Sequence, residues 1–243
     1  MTNFDLYFSG INYNFPMIFV KGTDDATYLF GENDKVSIGI KGFYISKYPV
    51  TQRLWEYIAG SNPSHFKELN RPVESVSFND ITLNNGFLDK LNDSSGRRYQ
   101  LKNTMQFRLP SETEWEYAAR GGMYWKDNFL FSGSNKIEEV GWQAAKKPGT
   151  ETHPVGEKSA NQLGIHDMSG NAWEWCQDYF QRDIDLIPKD GTDCLKESND
   201  RVLRGGCHHN WAIHCTVSKR YEIMPDSKDE CIGFRIAASA GHE

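Results

Sequence analysis

A chain of 243 residues with 13% aromatic and 38% hydrophobic residues is long enough to bury a substantial core. Its net charge of -6 and scattered basic residues form no positive stripe, which argues against nucleic acid as a partner. No run of about 18 apolar residues is present to insert into a membrane, and no basic region precedes an apolar one at the N-terminus. With no signal peptide read, the chain is expected to be cytoplasmic as made, with a cell surface or virion left open. No Ser/Gly-rich tract, charge block or internal repeat marks a linker, so one domain over residues 1–243 is expected.

In chain order, Met17 to Val20 and Val36 to Ile45 cluster β-branched and aromatic residues between glycines and Asn/Asp, the pattern of short strands. Thr51 is placed to cap a helix running through Tyr57. Ser77 is placed to cap a second helix, Asn79 to Asn92, whose Ile81, Leu83, Phe87, Leu88 and Leu91 make an apolar stripe weakened at Asn84-Asn85-Gly86. Phe107 to Pro110 reads as extended, and Ser111 with Glu114 forms a capping box for a third helix, Glu112 to Arg120, ended by Gly121-Gly122. From Phe129 onward glycine, aromatic and turn residues dominate, and mostly loops and short strands are expected.

All five cysteines, Cys176, Cys194, Cys207, Cys215 and Cys231, lie in the last third, an odd number with no CxxC pair. No disulfide framework is expected from this pattern. Arg201 to Ile236 places a chemically mixed run between two pins, RVLRGG at one end and GFR at the other. The run shows neither period 2 nor period 3.6 and reads as a long loop held at both ends, the kind that carries function. Cys207, His208, His209, His214, Cys215 and Cys231 supply enough ligands for zinc but lack a standard spacing, so scattered loop histidines are the preferred reading. His153, beside Pro154, reads as a buried histidine in a strand. Trp115, Trp173, Trp175 and Phe234 are assigned to the core.

The pieces FRLPSETEWEYAARGG (107–122), HPVG (153–156), LGIHDMSGNAWEW (163–175) and Arg201 to Arg235 resemble, in order and spacing, the formylglycine-generating-enzyme (sulfatase-modifying factor) family. The resemblance implies an α+β domain of the elaborated C-type lectin fold, low in regular secondary structure. It also implies two functional classes, because this superfamily hosts enzymes and pure binders on one scaffold.

In the family's oxidases two cysteines five residues apart hold copper, the first of them four residues after the GG pair. Here those positions are Asn210 and Cys215, and an amide cannot replace a thiolate at a soft metal. No copper is therefore expected, and a copper oxidase using Cys215 is the runner-up. A calcium site of the family's enzymes maps onto Asp167, Gly170, Ala172 and Glu174, hard oxygen donors suited to that ion; the alternative is that Asp167 and Glu174 accept backbone N–H bonds or pair with Arg204 or Arg235 without metal.

The frame RVLRGG, Cys215, Arg220, Pro225-Asp226 and IGFR also resembles the variable proteins of diversity-generating retroelements. That resemblance implies a ligand-binding protein whose 201–236 segment is diversified. The residues expected to meet an unknown protein or surface ligand are Cys207, His208, His209, Asn210, Trp211, Ile213, His214, Thr216, Lys219, Tyr221, Glu222, Ile223 and Met224, rich in the aromatic side chains that give contact area at low entropic cost.

Overall fold

The computed structural model describes residues 1–98, 105–144 and 151–239. Two sheets carry the architecture. Strands β1 (Phe4–Phe8) and β2 (Tyr13–Val20) form an antiparallel hairpin, the turn closed by Asn12 in the left-handed region. A two-stranded ribbon follows, β3 (Tyr28–Phe30) with β4 (Val36–Ile38), and then β5 (Phe43–Ser46) pairs with β2. The short strands expected within Val36 to Ile45 are thus β4 and the start of β5, separated at Gly39 to Gly42. β6 (Phe107–Arg108) and the C-terminal β11 (Ala237–Ser239) complete the first sheet in the order β1-β2-β5-β11-β6. β11 thus lies between two strands from the first half of the chain.

Helix α1 (Gln52–Ala59) starts where expected: the Thr51 hydroxyl accepts the Leu54 N–H, and Gly60 ends the helix in the left-handed region. The second expected helix is two. α2 (Phe78–Thr82) begins at a Ser77/Asp80 capping box, and α3 (Phe87–Arg98) begins after Asn85 has turned to φ 62. The Asn-Asn-Gly triplet that weakens the helical pattern breaks it outright. Four members of the apolar stripe, Ile81, Phe87, Leu88 and Leu91, are buried across the break, whereas Leu83, where α2 ends in extended backbone, is exposed.

α4 (Glu112–Ala119) has the predicted Ser111/Glu114 capping box, and all eight of its residues are buried. A helix buried on every side while carrying Glu112, Glu114 and Glu116 must find a cation for each carboxylate. α5 (Ile137–Val140) is a single turn. The second sheet runs β10-β7-β8-β9, built from β7 (Trp173–Tyr179), β8 (Arg201–Arg204), β9 (Arg220–Ile223) and β10 (Ile232–Phe234). β10 lies parallel to β7 and the other pairs are antiparallel.

Apolar clusters cover both faces of the first sheet. Phe15 and Met17 face Trp55, Phe87, Trp175 and Phe234, while Ile18, Val20, Phe43 and Ile45 face Trp115, Tyr117 and Ile165. The four aromatic residues assigned to the core are all buried. The mixed helix and strand content fits the expected α+β class, and among the described residues no helix is long and apolar enough to cross a membrane.

Candidate functional site

Three arginines frame the Arg201 to Ile236 segment, Arg204 of β8, Arg220 of β9 and Arg235 just after β10, each held by a glutamate of another element. Arg204, fully buried, donates to Glu112 Oε1 at 2.8 Å, Glu116 Oε2 at 2.6 Å and the Val217 carbonyl at 2.6 Å. Arg220 grips both oxygens of Glu112, at 2.6 and 2.7 Å, and Arg120 reaches back along α4 to Glu116 at 2.8 Å.

Arg235 binds Glu174 through two bonds of 2.6 and 2.9 Å. Burial alone would lower the Arg204 guanidinium and raise the Glu112 carboxyl. The opposite charges win at both: Glu116 and Glu112 raise Arg204, and Arg220 with Arg204 hold Glu112 below its ordinary value. The carboxylates that answer Arg204 and Arg220 were absent from the sequence reading. The available signal was Glu112 and Glu116, spaced i,i+4 on a helix otherwise made of core residues.

Gly205 and Gly206 adopt φ of 96 and 75, and a Cβ on Gly206 would lie 2.6 Å from the Cys215 sulfur, so the turn leaving β8 admits only glycine there. From this turn the chain runs through a 3-10 turn at Ala212–His214, returns as β9, and re-enters the core at β10. The expected continuous loop therefore contains an edge strand, which pairs Arg201 to Arg204 with Ile223 to Arg220. The mixed composition of RYEI hid its alternation, because its neighbours on the two faces are a charge network and solvent.

The expected ligand-facing residues divide. Trp211, Ile213, Tyr221 and Met224 are exposed at 63%, 66%, 50% and 63%, and His209 is exposed beside them. His214, Lys219 and Glu222 are half-buried, Glu222 with one oxygen 3.3 Å from Arg182. Cys207, His208 and Thr216 are buried and leave the surface set, and Ile223 packs on the main apolar cluster.

Asn210 has a structural duty: its side-chain oxygen accepts the Cys207 N–H at 3.0 Å, its N–H donates to the Cys207 carbonyl at 2.9 Å, and its carbonyl accepts from Ala144 at 2.8 Å. His153 lies in a loop and not a strand, half-buried and stacked on Trp142 at 3.7 Å, with burial lowering its imidazole.

Residues 17–240 match the sulfatase-modifying factor enzyme 1-like domain. The chain belongs to this family. Similar members include chaperone protein LppX of Paenibacillus barcinonensis, 35% identical over 201 residues covering 67% of this chain and 71% of that one. The mouse formylglycine-generating enzyme is 30% identical over 206 residues, 78% of this chain and 50% of the enzyme, so the chain spans about half of that relative's length. Among solved structures, Treponema denticola variable protein 1 superposes with a TM-score of 0.83 and 26% identity, covering 99% of this chain and all of that one.

In this sulfatase-modifying factor domain, the position expected for a first copper cysteine is thus filled by an amide that serves the backbone. The second, Cys215, is fully buried with Phe131, Ile137 and Val140 around it. Burial, followed by the proximity of Cys231, pushes its thiol up to about 12. A thiol so raised is protonated at neutral pH and is a poor nucleophile. Cys215 is expected to resist iodoacetamide in the folded protein at pH 8 and to react once urea unfolds it. Labelling of native protein as fast as a free thiol would contradict this placement.

The residues expected to hold calcium do not fit that ion. Both oxygens of Glu174 are taken, one by Arg235 and the Trp115 indole N–H at 2.6 Å, the other by Arg235. Asp167 accepts the Gly156 N–H at 2.7 Å, and burial pushes its carboxyl up to about 6. A cation at Glu174 would have to displace a buried guanidinium. The melting temperature is accordingly expected to be the same in millimolar calcium and in a chelator, since a native-state ligand at a hundred times its Kd would add about 2.7 kcal/mol; a chelator-induced fall of several degrees would restore calcium.

Proposed function

We propose that this domain is a binding protein, in which the exposed side chains of the 207–231 segment recognise a protein or surface-borne ligand, and that the segment is the diversified part of a variable protein. The observation that carries this reading is the separation of duties along Arg201 to Ile236. Arg204, Arg220, Phe234 and Arg235 are spent inward on glutamates and core, while Trp211, Ile213, Tyr221 and Met224 between them face outward. Tyr221 lies against the buried Trp173 with ring centroids 5.4 Å apart, which stiffens it before any ligand arrives. Rigid aromatic anchors with polar neighbours are the composition of adaptable recognition surfaces. Overlap with the Treponema variable protein along nearly the whole chain supports the variable-protein reading over the oxidase, which lacks one of its two thiolates.

The test is to sequence the DNA around the coding region. A near-copy of the stretch encoding residues 207–235 is expected beside a reverse-transcriptase gene, differing at adenines that fall in the codons of outward-facing residues. A locus without such a copy, or differences concentrated in the codons of Arg204, Arg220 and Phe234, would defeat the reading.

A further inference from the structure

Cys207 leaves the glycine turn after β8, and Cys231 immediately precedes β10. Those two strands flank β7, which holds both: Glu174 pairs with Arg204 on one side and Gly233 on the other, and the Trp173 N–H donates to the Cys231 carbonyl at 2.7 Å. The two buried sulfurs are thereby brought to 2.6 Å, closer than two unbonded thiols sit. Beside them, His208 Nδ1 lies 3.1 Å from the Asn171 carbonyl and 4.0 Å from the Cys231 sulfur. The carbonyl has no proton to give, so in the neutral ring Nδ1 carries the hydrogen, facing the carbonyl and the sulfur.

Cys207, His208 and Cys231 could also hold a metal ion, as their ligand atoms lie within 4.8 Å of one another. A tetrahedral zinc at about 2.3 Å from each thiolate would, however, spread the sulfurs to roughly 3.8 Å. The 2.6 Å contact is shorter than that spacing and longer than a formed S–S bond of about 2.05 Å, as for two thiols placed to couple.

We propose that Cys207 and Cys231 form a disulfide that clasps the base of the 208–230 segment. The span between them contains Trp211, Ile213, Tyr221 and Met224, so the bond ties off the displayed surface at its root. The oxidant is a small-molecule disulfide of the glutathione class. The contact with Cys207 and burial hold the Cys231 thiol well above its ordinary value, so the exchange runs through a transient opening of the segment, in which Cys231, the more exposed of the two, ionises and attacks the oxidant, breaking its S–S bond, forming a mixed disulfide and releasing one thiolate. Cys207 then attacks the Cys231 sulfur, closing the protein disulfide and releasing the second thiolate. Two electrons pass from the cysteine pair to the oxidant, and the two cysteine protons end on the departing thiols. The His208 Nδ1–H is placed to steady the thiolate on Cys231. The bond itself does not depend on ligand recognition; only its value for presenting the surface rests on the function proposed above.

The experiment incubates the purified chain with oxidised glutathione, then quenches, unfolds and alkylates it before mass analysis. Of the five cysteines, three are expected to take the label, with the peptides containing Cys207 and Cys231 joined. The oxidised form is expected to melt roughly 5 to 10 °C above the reduced form, because the crosslink constrains the unfolded chain. Cys207→Ser and Cys231→Ser should each lose both the linked peptide and the shift while still melting cooperatively. Five labelled cysteines, a glutathione adduct that Cys207 never resolves, or stoichiometric zinc that shields both thiols until chelated would each overturn the proposal. Failure to find a ligand for the surface would leave the disulfide result intact.

Discussion

Arg204→Met is expected to lower the melting temperature by roughly 10 °C, because removing one member of a buried ion pair costs about 3 to 5 kcal/mol in a domain of this size. Arg204 has no exposure and places one guanidinium between Glu112 and Glu116. Methionine matches the stem but leaves two buried carboxylates with one fewer cation each, and strands the Val217 carbonyl that the guanidinium also served. Arg220 and Arg120 still hold those carboxylates from their other sides, which keeps the loss finite.

The pH dependence has a definite sign. Glu112 sits below its ordinary value of 4.5, so its contribution is fully present above that pH and disappears as pH falls through the lower folded value. The difference in stability between wild type and Arg204→Met should therefore shrink on acidification. Denaturant melts at neutral and acid pH check both points, and a variant within 2 °C of wild type, with the same gap in acid, would remove the charge frame from the account.

Phe234→Ala is expected to cost about 3 to 5 kcal/mol, since the cavity adds to the lost transfer free energy. The ring is fully buried and meets Trp55 and Phe87 edge-on, with centroids 5.9 and 5.2 Å away, while those two stack on each other at 5.1 Å. It thus joins α1 and α3 to the second sheet. Its neighbour Gly233 allows the approach: a Cβ there would fall 2.3 Å from the Val73 carbonyl. Phe234→Leu keeps most of the volume and should lose much less. Equal midpoints for Phe234→Ala and wild type would mean that the contact between helix and sheet is made elsewhere.

What the sequence made legible follows a physical division. Signals that act over three or four residues were readable: the Thr51, Ser77 and Ser111 caps all formed, and Ile81, Phe87, Leu88 and Leu91 of the apolar stripe are buried, although the helix broke inside it and left Leu83 exposed. The break itself hinges on one residue, Asn85, entering the left-handed region, which composition flags but does not decide.

Partnerships across long separations were only partly readable. Glu174 was assigned to calcium through the family resemblance, with Arg204 or Arg235 as the alternative partner, and it is bound by Arg235, 61 residues away. Cys207 and Cys231 gave no paired spacing, being joined only through the strands on either side of β7. His208 was placed at the surface with its neighbour His209, yet one is buried and the other exposed, since in an irregular turn adjacent side chains share no fixed periodicity.

The central claim is that the displayed surface and the scaffold are separable. It is tested by a variant in which His209, Trp211, Ile213, Tyr221 and Met224 are all replaced by serine, melted beside wild type and Phe234→Ala. Exposed substitutions usually change stability by within about 0.5 kcal/mol each, so the fivefold variant should unfold cooperatively within roughly 5 °C of wild type while Phe234→Ala does not. A fivefold variant that loses its cooperative transition, beside a Phe234→Ala that keeps it, would show that the segment is core and that nothing is being displayed.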